Sequence, residues 1–132
     1  MAKQKIYVSK SPIEEKEIDV PDDDVVFKRY PNKTIADFSD DAIGIYYELH
    51  DILVKKQIDY GPLNIWNAPG GATNGLMVRM SDKLERLKNL IYNSIEPNNE
   101  ALEDSFIDIA NYAIIALMVE RGIWEKYATQ QK

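Results

Sequence analysis

The sequence has no cysteine, only one histidine and no long apolar run. The lack of cysteine excludes disulfides, thiolate zinc sites and cysteine nucleophiles. His50 has no partner serine or cysteine motif, so no catalytic triad is indicated. No apolar run reaches the roughly 20 residues that span a bilayer, and the first residues contain no apolar signal segment. We therefore expect a cytoplasmic protein with no membrane partner.

Basic residues are also few. The 16 lysines and arginines are outnumbered by 22 aspartates and glutamates, which gives a formal net charge of -6. Nucleic-acid polymers are bound mainly through basic side chains that neutralise phosphates. We therefore expect no nucleic-acid polymer as a partner, although a small phosphorylated ligand remains compatible with locally clustered charge.

The 132 residues predict an N-terminal arm followed by one all-α domain. Residues 1–38 are acidic and interrupted by proline, which favours an extended arm, with a short strand at "KIYV"; a flexible tail is the alternative. Residues 39–132 show helical periodicity throughout. The predicted landmarks are an N-cap at Ser39, a first helix to about Ile58, a second from about Leu76, and a third capped by Asn98 or Asn99 and ending at Gly122.

The third predicted helix carries a polar stripe through an apolar sequence. Glu100, Asp104, Asp108 and Asn111 fall within an arc of roughly 80° on a helical wheel, in a helix that is otherwise apolar nearly all round. Such a helix is expected to be mostly buried. Because unpaired buried carboxylates are costly, the stripe requires cations, either basic side chains or hard divalent metals such as Mg²⁺ or Mn²⁺.

The second predicted helix offers the basic side chains. Arg79, Lys83 and Arg86 share one face, with Asp82 at its edge. One interpretation is that these bases pair with the acids across a helix–helix contact, which is the commoner use of such stripes. The other is a phosphate clamp beside a metal site.

Between the first two helices lies a loop rich in glycine, proline and asparagine. Asp59 and Tyr60 lead into it, and Asn64 and Trp66 lie within it. The aromatic rings could stack on a base and the amides could read its edge. Alternatively, the tryptophan only fills the core.

Three segments of the sequence resemble a known family. "KKQIDYGPLNIW", "RMSDKLERLKNL" and "NEALEDSFIDIANYAIIAL" look like the pattern of the first nucleotide-modification-associated domain family. That family is similar to MazG-type all-α nucleoside triphosphate pyrophosphohydrolases. The resemblance covers about residues 42–120 and implies a helical bundle of this type, assembled as a homodimer or homotetramer.

The resemblance also implies a reaction, the hydrolysis of a nucleoside triphosphate, expected to be a dNTP, to the monophosphate and pyrophosphate in phage or bacterial nucleotide metabolism. The implied Mg²⁺ or Mn²⁺ ligands are Asp82, Glu100, Asp104 and Asp108, although the family's E-x-x-E and E-x-x-D motifs are not matched literally. Asp82 or Glu100 would orient the attacking water. The implied substrate-binding residues are Asp59, Tyr60, Asn64, Trp66, Arg79, Lys83, Arg86 and Asn111. The alternatives are a nucleotide-binding protein without catalysis and a purely structural helical oligomer.

Overall fold

The structure, a computed structural model, describes residues 30–130, and within this range it is all-helical with no strand. This confirms the all-α prediction for the described residues. The helices are α1 (Lys33–Tyr60), α2 (Leu63–Trp66), α3 (Ala72–Tyr92), α4 (Leu102–Glu120) and α5 (Glu125–Thr129). None of them is long and apolar enough to cross a membrane. Most of the predicted arm, including "KIYV", lies outside the described residues.

The first helix begins well before Ser39, so the predicted N-cap was wrong. Asn32 takes that role, because its Oδ1 accepts a hydrogen bond from the backbone N–H of Ile35 at 3.0 Å, and asparagine caps helices as well as serine does. The Ser39 hydroxyl instead hydrogen-bonds to the Tyr30 hydroxyl. The chain divides into two compact units, residues 1–48 and 49–132, and α1 runs through the boundary.

The loop after α1 is partly helical and closes the core of the second unit. Gly61, with φ +66°, ends α1, and α2 follows at once. Ile65 of α2 is buried in a cluster with Leu76, Ile115 and Trp124. The Trp124 indole N–H also donates to the Pro62 carbonyl oxygen at 3.2 Å. A tetrapeptide helix is thereby fixed between the ends of α3 and α4.

α3 begins at Ala72, four residues before the predicted start at Leu76, directly after Gly71 with φ +97°. Its leucine and isoleucine side chains are only partly buried. Leu76 and Leu87 lie in the interior, whereas Leu84 and Ile91 are about half exposed. The apolar residues of this helix are therefore divided between the core and the surface.

α4 packs against α3, with the polar stripe on its buried side. Its buried positions are Ser105, Asp108, Asn111 and Ile115, whereas apolar side chains such as Phe106 and Leu117 are exposed. The expectation of a mostly buried helix was therefore wrong for its apolar side. The predicted caps Asn98 and Asn99 were also wrong, because the helix starts after Ala101 with no side-chain cap. The C-terminal prediction was right: Gly122, with φ +71°, follows the helix end.

Candidate functional site

Three helices bring charged side chains together around Asp108. Lys56 near the end of α1 lies 2.6 Å from Asp108 Oδ1, and Lys83 in the middle of α3 lies 2.9 Å from Oδ2. The Asp108 side chain is only 11% exposed, whereas those of Lys83 and Lys56 are 26% and 49% exposed. A buried carboxylate is thus held between two ammonium groups that reach solvent, and the cluster carries a local excess of positive charge.

The ionisation of all three groups is reinforced by their proximity. Burial alone would raise the pKa of Asp108, but the hydrogen bonds and charges of Lys56 and Lys83 more than offset this and lower it. The hydrogen bond to Asp108 raises the pKa of Lys83, with a further contribution from the charge of Glu100. For Lys56, burial opposes the shift, yet the contact with Asp108 leaves its pKa raised as well. The three groups therefore remain charged over the whole physiological range.

The other buried polar groups of α4 have partners of their own. Arg86 donates to the Ser105 hydroxyl at 2.7 Å and to the carbonyl oxygens of Glu100 and Ala101. Asn111 Nδ2 donates to the Leu49 carbonyl oxygen at 3.1 Å. Arg86 therefore fixes the start of α4.

A cavity of about 60 Å³ lies beside Asp108, between α1, α2, α3 and α4. We call it the amide cavity because Asn64 and Asn111 both line it, together with Tyr60, Arg79 and Tyr112. The Oδ1 atoms of both asparagines are buried and have no hydrogen-bond donor among residues 30–130. The cavity is therefore lined by two amides, two tyrosine side chains and one arginine.

A second cavity, of about 240 Å³, is lined by Glu100, Asp104 and Asp108 together with Lys56 and two isoleucines. We call it the acidic cavity. Lys56 and Asp108 line both cavities. The Lys56–Asp108 ion pair therefore forms a wall common to the two.

Comparison with known families adds one match. Residues 56–119 match the family described as nucleotide modification associated domain 1. No curated protein and no solved structure matches this chain. The nucleotide modification associated domain 1 segment begins at Lys56 and ends just before the last residue of α4, so it contains all the charged residues that line the two cavities.

The structure brings most of the predicted site residues together. Asp104, Asp108 and Glu100 share the acidic cavity, and Tyr60, Asn64, Arg79 and Asn111 share the amide cavity. Lys83 pairs with Asp108. The interpretation that bases of the second predicted helix pair with the acids of the third is therefore correct for Lys83. The second lysine bound to Asp108, Lys56, comes from α1 instead.

Four predicted residues are placed elsewhere. Asp82, Asp59 and Trp66 are exposed and line neither cavity. Asp82 lies on the solvent side of α3, roughly 100° around the helix from Lys83. Arg86 is occupied with the backbone before α4 and with Ser105, so it stabilises the helix start instead of facing a phosphate.

The predicted metal ligands do not form one cluster. Within residues 30–130, no group of three or more histidine, cysteine, aspartate or glutamate side chains is placed to hold a metal ion. Both oxygens of Asp108 accept from lysines. Glu100 and Asp104 line the acidic cavity without an ion-pair partner in the described part of the chain. A hydrated divalent cation needs only one or two protein carboxylates when phosphates supply further ligands. These two carboxylates therefore best fit a cation of that kind.

Sequence reasoning missed three residues of the site. Lys56 was not predicted. The helical spacing of α1 places its neighbour Lys55, and not Lys56, on the same face as Asp51, and those two residues form an ion pair. Ser105, which is fully buried, and Tyr112 were assigned no role. Lys56 and Tyr112 both lie within or next to the segments that carry the family resemblance, and that was the available signal.

Proposed function

We propose that this chain binds a nucleoside triphosphate, with the base in the amide cavity and the phosphates at the acidic cavity, and hydrolyses it to the monophosphate and pyrophosphate with Mg²⁺ or Mn²⁺. The observation that supports this proposal is the shared Lys56–Asp108 wall between an aromatic, amide-lined cavity and a carboxylate-lined one. The match to nucleotide modification associated domain 1 points to the same ligand class.

A MazG-like arrangement in phage or bacterial nucleotide metabolism is part of this proposal. So is assembly into a homodimer or homotetramer. Support for assembly comes from the exposed apolar side of α4, where Phe106 and Leu117 are both more than half exposed. A second copy packed on this side would remove that surface from water, and closed symmetric oligomers are the commonest outcome of such self-association.

The chain's own groups have distinct tasks in the proposed reaction. Glu100 and Asp104 would hold the cation, which would neutralise charge on the phosphates and make a bound water more acidic. Lys56, which lines both cavities, would direct its ammonium group toward phosphate oxygens, and Glu100 would orient the attacking water as a general base. Lys83 lines neither cavity and holds Asp108 in place. Tyr60 and Tyr112 contact the base. Asp82 has no part in this scheme, because it faces solvent away from both cavities.

The test is a pyrophosphate-release assay over the common and modified (d)NTPs, with Mg²⁺, Mn²⁺ or chelator. We expect metal-dependent release of pyrophosphate, reduced about a hundredfold or more in Glu100→Ala and Asp104→Ala, which is the usual effect of removing a group that handles the proton or metal. Glu103→Ala is the matched control, since Glu103 is exposed in the first turn of α4 and lines neither cavity. Equal losses in all three variants would contradict these assignments.

A specific observation favours the second candidate, a nucleotide-binding protein without catalysis. Asp108 is neutralised by two lysines, and no carboxylate triad for a metal exists among the described residues. This candidate predicts a nucleotide-dependent increase in melting temperature without pyrophosphate release from any triphosphate in the screen. The first candidate predicts both.

A further inference from the structure

The segment between α3 and α4 carries one of the two carboxylates that line the acidic cavity without an ion pair. Glu100 lies outside any helix, directly before Ala101 and the first turn of α4. Asp104, in contrast, belongs to that first turn, so the helix itself sets its position. Because no helical hydrogen bond fixes Glu100, another contact has to hold this residue at the wall of the acidic cavity.

Arg86 makes that contact from the middle of α3. Its Nη2 donates a hydrogen bond to the Glu100 carbonyl oxygen. Its Nη1 donates to the Ser105 hydroxyl at 2.7 Å and to the Ala101 carbonyl oxygen at 3.4 Å. Ser105 has none of its surface exposed. The rigid fork of the guanidinium group therefore joins the buried side of α4 to the residue that precedes the helix.

Arg86 holds Glu100 without occupying its carboxylate. In the described part of the chain, the hydrogen bonds of Arg86 end on carbonyl and hydroxyl oxygens, and the residue lines neither cavity. Its charge does not assist α4 either, since the N-terminus of a helix carries a partial positive charge. The contact therefore sets the position of the chain before α4 and leaves the Glu100 carboxylate available to a cation.

We propose that Arg86 is a positioning residue for the cation site: by binding the Glu100 carbonyl oxygen, it holds the Glu100 carboxylate at the acidic cavity beside Asp104. This inference rests on the proposed function, because it requires that the two carboxylates take a divalent cation. Groups that orient a metal ligand from outside the coordination sphere change metal affinity by roughly ten- to a hundredfold when they are substituted.

The test measures Mn²⁺ binding to the full chain by electron paramagnetic resonance, without nucleotide and separately from turnover. Arg86→Lys keeps the positive charge but loses the planar fork. We expect this variant to bind Mn²⁺ about tenfold more weakly than the native chain. Lys88→Arg, the matched control, makes the reverse exchange at an exposed position of α3 that lines neither cavity, and it should bind Mn²⁺ as the native chain does.

Two further variants separate positioning from stability. Ser105→Ala removes the buried partner of Arg86 but keeps its contact with Glu100. It should lower the melting temperature and leave the Mn²⁺ affinity close to that of the native chain. In a Glu100→Ala background, Arg86→Lys should weaken Mn²⁺ binding no further, because two substitutions that act through the same group are not additive.

The positioning role is overturned by native Mn²⁺ affinity in Arg86→Lys, by an equal loss in Ser105→Ala, or by an additional loss in the Glu100→Ala background. It also fails if the native chain binds no Mn²⁺, and the pyrophosphate-release screen then decides the proposed function on its own. If Mn²⁺ binding follows the expected pattern and no triphosphate is hydrolysed, the positioning role stands and the catalytic function fails.

Discussion

The two sides of α4 are used in opposite ways. The side that packs against the rest of the second unit carries Ser105, Asp108 and Asn111, all buried. The other side carries apolar residues that remain in contact with solvent, among them Phe106 at 54% and Leu117 at 52% exposed. In a surface helix of a globular protein, the apolar stripe normally faces the core and the polar one faces water.

The buried polar side of α4 is stabilised by hydrogen bonds and ion pairs to neighbouring helices. Polar groups tolerate burial when each finds a partner, and here Arg86 bonds Ser105 while two lysines bond Asp108. Asn111 lines the amide cavity, and its Nδ2 donates to the Leu49 carbonyl oxygen. The polar side of α4 is therefore suited to a ligand, and the apolar side to a protein surface, which we propose is a second copy.

The largest expected effect comes from making the exposed apolar side polar. Phe106→Asp combined with Leu117→Asp should convert the proposed oligomer into monomers, as measured by light scattering after size-exclusion chromatography. Burying the exposed half of one of these side chains contributes about 1 kcal/mol. A twofold dimer buries four such side chains, which contributes about 4 kcal/mol to the free energy of association. Their loss should lower the association constant roughly a thousandfold.

Glu103→Lys is the control on the same helix, because Glu103 is already exposed and polar. It should leave the mass unchanged. A native chain that is monomeric at high micromolar concentration would contradict the proposed role of the apolar side, and so would a double variant that keeps the native mass.

The next largest effect should come from the buried side. Asp108→Ala removes the carboxylate that holds Lys56 and Lys83 together. Removing one partner of a fully buried ion pair costs about 3–5 kcal/mol. Because both lysines keep some access to water, we expect a smaller loss, about 1–3 kcal/mol in the free energy of unfolding. Urea titration measures this loss.

Asp51→Ala is the matched control, because Asp51 pairs with Lys55 in an ion pair whose two side chains are 65% and 72% exposed. Its loss of stability should be much smaller than that of Asp108→Ala, because solvent screens an exposed pair. A triple variant, Lys56→Met, Lys83→Met and Asp108→Leu, should recover much of the stability that Asp108→Ala loses. Equal effects of the two single alanine variants would show that Asp108 is not a structural centre.

The stability role of Asp108 changes which residue best tests catalysis. The family resemblance implied that Asp108 is a metal ligand, which would make it a natural target for a test of catalysis. Since Asp108 links three helices through two lysines, its loss confounds folding with function. Asp104 and Glu100, which line the acidic cavity without an ion pair in the described part of the chain, separate the two.

The sequence predicted the all-α class and the clustering of Asp104, Asp108 and Asn111, because their spacing is a local property of one helix. It predicted a buried polar side for that helix, but it did not predict that Phe106 and Leu117 on the other side would be exposed. Amphipathic periodicity assigns apolar residues to the core, and it does not show which of them the rest of the fold covers. Lys56 was missed for a related reason: its partner lies 52 positions away in the sequence, and no local pattern encodes that contact.

The smallest expected effect is the pH dependence of the same ion pair. The pKa of Asp108 is lowered from 3.8 in the folded chain, so its contribution to stability is complete above that value and is lost as the pH falls below it. The pKa values of Lys56 and Lys83 are raised from 10.5, so their contribution is complete below that value and is lost as the pH rises above it. Urea midpoints between pH 3 and 7 should therefore fall more steeply for the native chain than for Asp108→Asn, which cannot titrate there. Parallel curves would show that this carboxylate has the same pKa in the folded and unfolded chains.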